Sequence, residues 1–304
     1  MRADRAGQKA SRHRRSESDS KDHLYKPLTG PKGALGRVMN NRRKFAKLRG
    51  AKRVWAVASV HGEARRLERL HGALAPRLTA GDRIVYLGNV IGRGPAVAET
   101  LAALMRFRAA VLAGQHSFAC DLVYLRGGQE EMWQKLLQIQ FATDPAGTLE
   151  WMLDQGIGPT LEAYGSSVHD ARRHALGGAV GLTRWTRSLR EAMRAKPGHN
   201  ELFASLRRAA FTEDRALLFV NAGLDPSRPL EAQSDSFWWS SAAFARIAEP
   251  YGSYRFIVRG FDPDHPGLQV SDHTATLDAG CGFGGPLLAA CLTPAGEIVD
   301  TLEA

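Results

Sequence analysis

Two strand-to-loop junctions between Val54 and Pro95 constrain the fold of this 304-residue chain more than any other feature of its sequence. The first is an apolar run at 54–58 that ends in the polar sequence Ser-Val-His-Gly. The second is the run at 82–87, which ends in Gly-Asn and is followed by Gly-Arg-Gly-Pro. Ligands of α/β proteins bind where strands stop and loops begin. The pattern therefore predicts an α/β fold with its functional site at these two junctions.

Three later segments extend the pattern: Leu-Arg-Gly-Gly-Gln-Glu-Glu-Met at 125–132, Phe-Val-Asn-Ala-Gly-Leu at 219–224, and Arg-Gly-Phe-Asp-Pro at 259–263. In this order and spacing, the five segments resemble the motifs of the calcineurin-like metallophosphoesterases, specifically their bacterial serine/threonine phosphatase-like branch. In that family the segments read Gly-Asp-x-His-Gly, Gly-Asp-x-x-Asp-Arg-Gly-Pro, Leu-Arg-Gly-Asn-His-Glu-Glu-Met, Phe-Val-His-Ala-Gly-Leu and His-Gly-His-Thr-Pro. The resemblance covers residues 54–304.

The resemblance implies an α/β fold, a layered β-sandwich of mixed sheets flanked by helices, over residues 51–304. Strand patterns at 54–58, 82–87, 122–125, 216–220, 255–258, 273–277, 287–292 and 297–302 agree with it. Helical periodicity is expected at 63–78 and 96–107, and a helical insertion at about 131–210. No run of about 18 apolar residues is present, so no transmembrane segment is expected.

The family's activity needs two divalent metals that hold a phosphate and lower the pKa of a bridging water. The resemblance places the six metal-ligand positions on Ser59, His61, Asn89, Gly128, Asn221 and Phe261. Only the histidine keeps the family's ligand type, and no carboxylate remains to offset the metal charge. We therefore expect no bound metal. A hydrogen-bonded structural role is the alternative interpretation of His61.

The family's general-acid pair falls on Gln129 and Gly92, neither of which transfers protons. Arg93 and Arg126 fall on the family's phosphate-facing arginines and are the phosphate-binding candidates. Alternatively, the two arginines pair with nearby acids such as Glu130 or Asp262.

Two other groups of residues have open interpretations. Phe237-Trp238-Trp239 is either a plug over the sheet edge or an aromatic wall of the cleft. The second group could bind a metal or simply be solvated, and comprises Asp262, Asp264, His265, Asp272 and His273.

The basic charge of the chain is concentrated at one end. Residues 1–53 hold 17 Lys/Arg and 4 Asp/Glu, whereas the whole chain has a formal net charge of +10. Residues 1–50 therefore form a basic tail that is expected to be largely disordered, with a short amphipathic helix predicted at 34–48. Such a tail could bind nucleic acid, an acidic protein or an anionic membrane surface. The three cysteines, Cys120, Cys281 and Cys291, have no metal-binding spacing and are expected to be reduced, as in the cytoplasm.

The sequence therefore predicts a pseudophosphatase: a metallophosphoesterase-like protein that binds a phosphorylated ligand or a protein partner without catalysis. Two alternatives remain open. In one, a rearranged site retains phosphoesterase or protein phosphatase activity with two metals of the Mn, Fe or Zn type. In the other, the body is a scaffold for the basic tail.

Overall fold

The structure is a computed structural model that describes residues 44–114 and 121–304. Eleven strands are present in these two ranges. In chain order they are β1 Phe45–Leu48, β2 Arg53–Val57, β3 Asp82–Tyr86, β4 Leu122–Tyr124, β5 Ala209–Thr212, β6 Leu217–Val220, β7 Phe256–Arg259, β8 Gly267–Val270, β9 Thr274–Asp278, β10 Leu288–Leu292 and β11 Ile298–Glu303.

Ten α-helices are described in the same ranges. They are α1 Ala64–Leu74, α2 Val97–Ala113, α3 Gly128–Leu136, α4 Pro145–Asp154, α5 Gly158–Ala163, α6 Val168–Leu176, α7 Gly178–Ala195, α8 His199–Ser205, α9 Ser236–Trp239 and α10 Ser241–Phe244. Helices α3 to α8 are consecutive and form the helical insertion. No helix in the described part of the chain is long and apolar enough to cross a membrane.

The strands form two mixed sheets. The five-stranded sheet has the order β11-β10-β2-β3-β4, in which β2, β3 and β4 are parallel. The six-stranded sheet has the order β1-β5-β6-β7-β9-β8, in which β6, β7 and β9 are parallel. Residues 54–57 of β2 are all buried, as expected for a central strand covered on both faces.

Alternate residues of β6 show how the layers are arranged. Leu217 and Phe219 belong to the main core, which also contains the buried residues of β2, β3 and β10. Leu218 and Val220 belong to a second core beneath Phe237. Because successive side chains of a strand point to opposite faces, β6 separates the two cores. The predicted layered α/β fold with mixed sheets, flanking helices and a helical insertion is confirmed.

The prediction for the N-terminal segment is partly wrong. Residues 1–43 lie outside the described residues, so the basic tail and most of the helix expected at 34–48 are not described. Phe45–Leu48, however, forms strand β1, which pairs in parallel with β5. Leu48 is fully buried in the main core, and Phe45 packs edge-on against Phe237 with ring centroids 6.3 Å apart. Pairing and burial override the helical pattern, and the domain therefore includes residues assigned to the tail.

Two further strands, β5 and β8, were not predicted. β5 follows the helical insertion directly, and β8 is a short edge strand in which Leu268, Gln269 and Val270 are all exposed. Cys281 and Cys291 are free and buried, in agreement with reduced thiols, whereas Cys120 lies outside the described residues.

Candidate functional site

The loops after β2 and β3 bring three of the candidate positions together. The two strands are parallel, so their carboxyl ends meet at one edge of the sheet. His61 N–H and Val60 N–H both donate to the carbonyl of Asn89, at 2.7 and 3.1 Å. The Asn89 amide Nδ2 in turn donates to Ser59 Oγ at 3.3 Å. Both His61 and Asn89 have positive φ angles, +53° and +50°. Such strain in non-glycine residues is typical of functional sites.

The His61 imidazole is buried without a hydrogen-bond partner. Only 2% of the residue is exposed, and neither Nδ1 nor Nε2 has a partner among the described residues. Its ring packs edge-on against Phe261 and Phe283, at centroid distances of 5.7 and 5.5 Å. Burial, helped by the positive charge of Arg93 and by His265, lowers the pKa of His61 to about 3. Within the described residues, aromatic packing and not a side-chain hydrogen bond holds the His61 ring.

The two asparagines at ligand positions are held by the backbone. Asn89 Oδ1 accepts a hydrogen bond from Gln129 N–H at 3.0 Å. Asn221 Oδ1 accepts one from Gly128 N–H at 3.3 Å, and its Nδ2 donates to the Leu87 carbonyl at 2.7 Å. Each amide oxygen thus accepts one backbone hydrogen bond, and these contacts connect the loops after β3 and β6 to the start of α3.

Gln129 fills the space beside Gly92. A Cβ added to Gly92 would lie 2.4 Å from Gln129 Cδ, and Gly92 has a φ of +98°. The Gln129 amide donates to the Gln155 carbonyl at 2.7 Å, while its buried Oε1 has no partner in the described part of the chain. Since an amide neither releases nor takes up a proton near neutral pH, these positions provide no general acid.

The two tryptophans of α9 have different roles. Trp238 is buried, and its indole N–H donates to the Arg126 carbonyl at 2.8 Å. Trp239 is 44% exposed and covers Gly128, where an added Cβ would lie 3.1 Å from the indole. The plug interpretation therefore holds for Trp238, whereas Trp239 forms a wall of the cleft. An aromatic ring occupies the space in front of the fourth ligand position.

The donor set at the six positions does not fit a two-metal centre. It consists of one imidazole, one hydroxyl and two amides already hydrogen-bonded to the protein, with no side-chain donor from Gly128 or Phe261. Hard divalent cations held close together need carboxylates between them. No group of three or more His, Cys, Asp or Glu able to hold a metal occurs within residues 44–114 and 121–304.

The structure separates the two candidate arginines. Arg126 forms an ion pair with Glu131 at 3.1 Å and hydrogen-bonds Gln134, and it does not line the cleft. The Arg93 guanidinium lies over the Phe283 ring, 4.2 Å from its centroid, and has no ion-pair or hydrogen-bond partner among the described residues. Partial burial lowers the pKa of Arg93. Of the two, Arg93 is the one that lines the cleft.

The acids proposed as partners for these arginines are engaged elsewhere. The buried Glu130 carboxylate accepts hydrogen bonds from the N–H groups of Asn89, Val90, Ile91 and Gly127, at 2.7–3.1 Å. Burial raises the pKa of Glu130, and these donors oppose the rise. Asp262 forms an ion pair with the buried Arg259. Glu130 therefore shapes the loop after β3 and does not neutralise Arg93.

The cleft has a volume of about 310 Å³ and is mainly aromatic. Its lining comprises Arg93, Gln155, Ala222, Trp238, Trp239, Ser241, Phe261, Pro263, His265 and Phe283. A smaller space of about 30 Å³ adjoins it at His61, Asn89, Gln129 and Asn221. No carboxylate lines either space, so the field of Arg93 in the cleft favours an anion.

Sequence reasoning missed two parts of this cleft. Phe283 lies in the glycine-rich turn at 280–285, whose Gly282 approaches His61 so closely that an added Cβ would lie 2.4 Å from His61 Cβ. The other is the contact of His265 with Asp278, 2.9 Å from Nδ1 to Oδ2.

The acidic and histidine cluster considered from the sequence does not assemble, because Asp262 pairs with Arg259 and His273 contacts the Arg255 carbonyl. The available signals were the spacing of glycines at 280, 282 and 284 for Phe283 and the place of His265 in the acidic and histidine cluster.

Comparisons with solved structures identify the fold. The chain is similar to a crystal structure provisionally described as a diadenosine tetraphosphatase, with 19% sequence identity, a TM-score of 0.51, and coverage of 86% of this chain and 98% of the other. At this identity the likeness concerns the fold alone. The chain has the calcineurin-like metallophosphoesterase fold, as the sequence predicts.

Two other solved structures are more distant. One is a protein serine/threonine phosphatase from Saccharomyces cerevisiae, with 15% identity, a TM-score of 0.47 and coverage of 89% and 87%. The other is a cold-active protein-tyrosine phosphatase from a Shewanella species, with 13% identity, a TM-score of 0.45 and coverage of 86% and 83%. No protein-family model matches the sequence, and no curated protein matches it significantly.

Proposed function

We propose that this protein binds a phosphorylated ligand in the aromatic cleft and does not hydrolyse it by the two-metal route. The observation that carries the proposal is the Arg93 guanidinium, which faces a 310 Å³ cleft without an acidic partner in the described chain. Guanidinium groups bind phosphate oxygens in pairs through their planar N–H donors. A phosphate group at Arg93 would supply the negative charge that the cleft lacks.

The surroundings of Arg93 support this assignment. Its backbone N–H donates to the Gly156 carbonyl at 3.0 Å, and a Cβ on Gly156 would lie 2.4 Å from Arg93 Cγ. The side chain is thus held between the loop after β3 and the insertion, with Phe283 beneath the guanidinium. A side chain fixed in advance loses little conformational entropy when a ligand binds.

The binding test is isothermal titration calorimetry with inorganic phosphate and with phosphoserine. Charge-assisted hydrogen bonds contribute about 1.5–3 kcal/mol, so Arg93→Ala should weaken phosphate binding by roughly 10- to 100-fold. Arg187→Ala is the matched control, because Arg187 is an exposed arginine of α7 paired with Glu191. Equal affinity of the Arg93→Ala variant and the unaltered protein would refute the assignment.

The metal test is elemental analysis of the purified protein after dialysis against Mn²⁺. The proposal expects no stoichiometric divalent metal, because the six ligand positions include no carboxylate and only one imidazole. Two tightly bound metal ions per chain would overturn it and would favour the alternative of a rearranged phosphoesterase.

We infer a separate role for residues 1–53 from their 17 Lys/Arg and 4 Asp/Glu, namely salt-dependent binding of a polyanion such as RNA. The deletion that tests it must stop at residue 40, because residues 45–48 form β1. Removal of residues 1–40 should weaken RNA binding and flatten its dependence on salt concentration. An unchanged salt dependence would exclude the tail as the binding element.

A further inference from the structure

The cleft contains a histidine–carboxylate pair that lies outside the six metal-ligand positions and the general-acid pair of the metallophosphoesterase motifs. His265 Nδ1 lies 2.9 Å from Asp278 Oδ2. Asp278, at the end of β9, is only 2% exposed, and its two oxygens accept the N–H groups of Asp262 and Gly280 at 2.8 and 3.0 Å. The carboxylate is therefore held by the backbone, and it in turn orients the imidazole.

This contact determines which nitrogen of His265 carries the proton. A carboxylate accepts a hydrogen bond, so Nδ1 carries the proton, and in the neutral imidazole Nε2 keeps its lone pair. Nε2 has no hydrogen-bond partner among the described residues, and His265 lines the cleft. The backbone at His265 has a φ of +48°, a conformation that is costly for a histidine and is typical of functional positions.

His265 and Arg93 share one neighbour, the Phe283 ring. The imidazole centroid is 4.1 Å from the centroid of this ring, and the guanidinium carbon is 4.2 Å from it. The two groups therefore lie within about 8 Å of each other and line the same cleft, so the inference below requires a phosphoryl group bound between them. A nucleophile oriented by a third group, beside a cation that binds phosphate oxygens, is the arrangement that covalent phosphoryl transfer needs.

We propose that His265 is a nucleophile for metal-independent phosphoryl transfer from aryl phosphates. This inference rests on the proposed function, because it requires a phosphate group at Arg93. The Nε2 lone pair attacks phosphorus, a P–N bond forms, and the P–O bond to the aryl group breaks with its electron pair leaving as a phenolate. Arg93 stabilises the phosphoryl oxygens, and the Asp278 carboxylate balances the positive charge that develops on the imidazole.

Water then completes the reaction. It attacks phosphorus, the P–N bond breaks with its electron pair returning to Nε2, and both water protons leave with the product as dihydrogen phosphate. His265 is regenerated in its neutral form with Nδ1 still bound to Asp278. No oxidant, reductant or metal enters either step.

The absence of the family's general acid limits which leaving groups can depart from the phosphate. Gln129 and Gly92 cannot protonate a departing oxygen, and no carboxylic acid lines the cleft or the smaller space beside His61 to take their place. The group must therefore leave as a stable anion. A phenolate does so readily, whereas the alkoxide of a serine or a sugar does not. The cleft's aromatic walls suit the same class of ligand.

The test uses the full-length protein, treated with EDTA and mixed with p-nitrophenyl phosphate. The expected results are release of nitrophenolate and, by intact-mass spectrometry, a covalent PO₃ adduct that is labile in acid and stable in alkali. Peptide mapping should place the adduct on His265. His265→Gln should abolish both signals, whereas His273→Gln, which alters a histidine outside the cleft, should change neither.

Asp278 is tested as a positioning residue. Asp278→Asn should slow adduct formation on the order of 10²–10⁴-fold, because it no longer fixes the Nδ1–H tautomer. Asp278→Glu should restore part of the rate, which a merely structural role would not predict. Circular dichroism and phosphate calorimetry on each variant establish that the fold and the Arg93 contact are retained.

The outcomes separate the two proposals. If phosphate binds at Arg93 but the unaltered protein forms no adduct, or forms it on another residue, the nucleophile assignment is overturned and the proposed function stands. If phosphate does not bind, the proposed function is overturned, and the nucleophile assignment, which requires a phosphate group at Arg93, is overturned with it. An adduct that persists in the His265→Gln variant would also refute the nucleophile assignment.

Discussion

The buried imidazole of His61 makes a quantitative prediction about stability against pH. The pKa of His61 is lowered from 6.5 to about 3 by burial, so the folded state remains unprotonated at pH 5.0 while the unfolded state takes up a proton. The unfolded state binds more protons in this window, so stability is lost as pH falls below 6.5. The window from pH 6.5 to 5.0 spans about 1.5 units, which corresponds to about 2 kcal/mol of the free energy of unfolding.

The perturbation is His61→Asn, which removes the titrating group and keeps a residue that tolerates positive φ. Urea unfolding, followed by tryptophan fluorescence at pH 7.5 and 5.0, gives the free energy of unfolding of both proteins. The loss of stability between these pH values should be about 2 kcal/mol smaller in the variant. Groups with the opposite pH dependence, such as Glu130 and Asp278, are present in both proteins and cancel in this difference.

A second buried histidine provides the matched comparison. His71 hydrogen-bonds Tyr86 at 2.8 Å and stacks on Phe107, and burial lowers its pKa to about 4. His71→Asn should reduce the same pH-dependent loss by about 2 kcal/mol, and the effects of two distant sites should add. If His61→Asn leaves the loss unchanged within about 0.5 kcal/mol, the imidazole is not buried as described and the reasoning fails.

Two further predictions concern the loop after β3. Gly92→Asp should destabilise the protein by about 1–3 kcal/mol in urea unfolding, because the position has positive φ and Gln129 fills the adjoining space. The double variant with Gln129→Gly should recover part of this loss, and full stability of the single variant would contradict the packing. Glu130→Gln should cost about 3 kcal/mol or more, since one amide oxygen cannot accept four backbone N–H groups. Glu131→Gln, which weakens ion pairs with Arg126 and Lys135 but leaves no backbone N–H group without its acceptor, should cost under about 1 kcal/mol, and equal losses would refute the distinction.

The parts of the fold that could be predicted are those in which local pattern and burial agree. β2 is apolar throughout because both its faces are covered, and β6 alternates between two cores, so each strand is recognisable from its own residues. β1 could not be recognised, because its basic surroundings suggest a helix and its conformation depends on β5, a distant segment. β8 could not be recognised either, because most of its residues are exposed and burial therefore does not constrain its sequence.

The candidate site also has parts that the sequence predicts and parts that it does not. The positions of His61, Asn89 and Arg93 could be predicted, because these residues lie in the loops directly after recognisable strands. The partners of these residues could not be predicted, because the aromatic covering of His61 comes from Phe261 and Phe283, which are far away in sequence. Likewise, Arg126 differs from Arg93 in having an ion-pair partner, Glu131 of α3, and the sequence did not show that α3 places this carboxylate beside Arg126.

The strand order has a consequence for how the chain folds during its synthesis. The middle strand β2 obtains one neighbour, β10, from residues 288–292, and β1 obtains its neighbour from residues 209–212. At ~5–20 residues per second, β1 and β2 leave the ribosome roughly ten seconds or more before these partners exist. During that interval one apolar edge of β2 is open to other chains. Completion of both sheets is thus a late event, and a chain interrupted before Leu288 would present that edge as a site of aggregation.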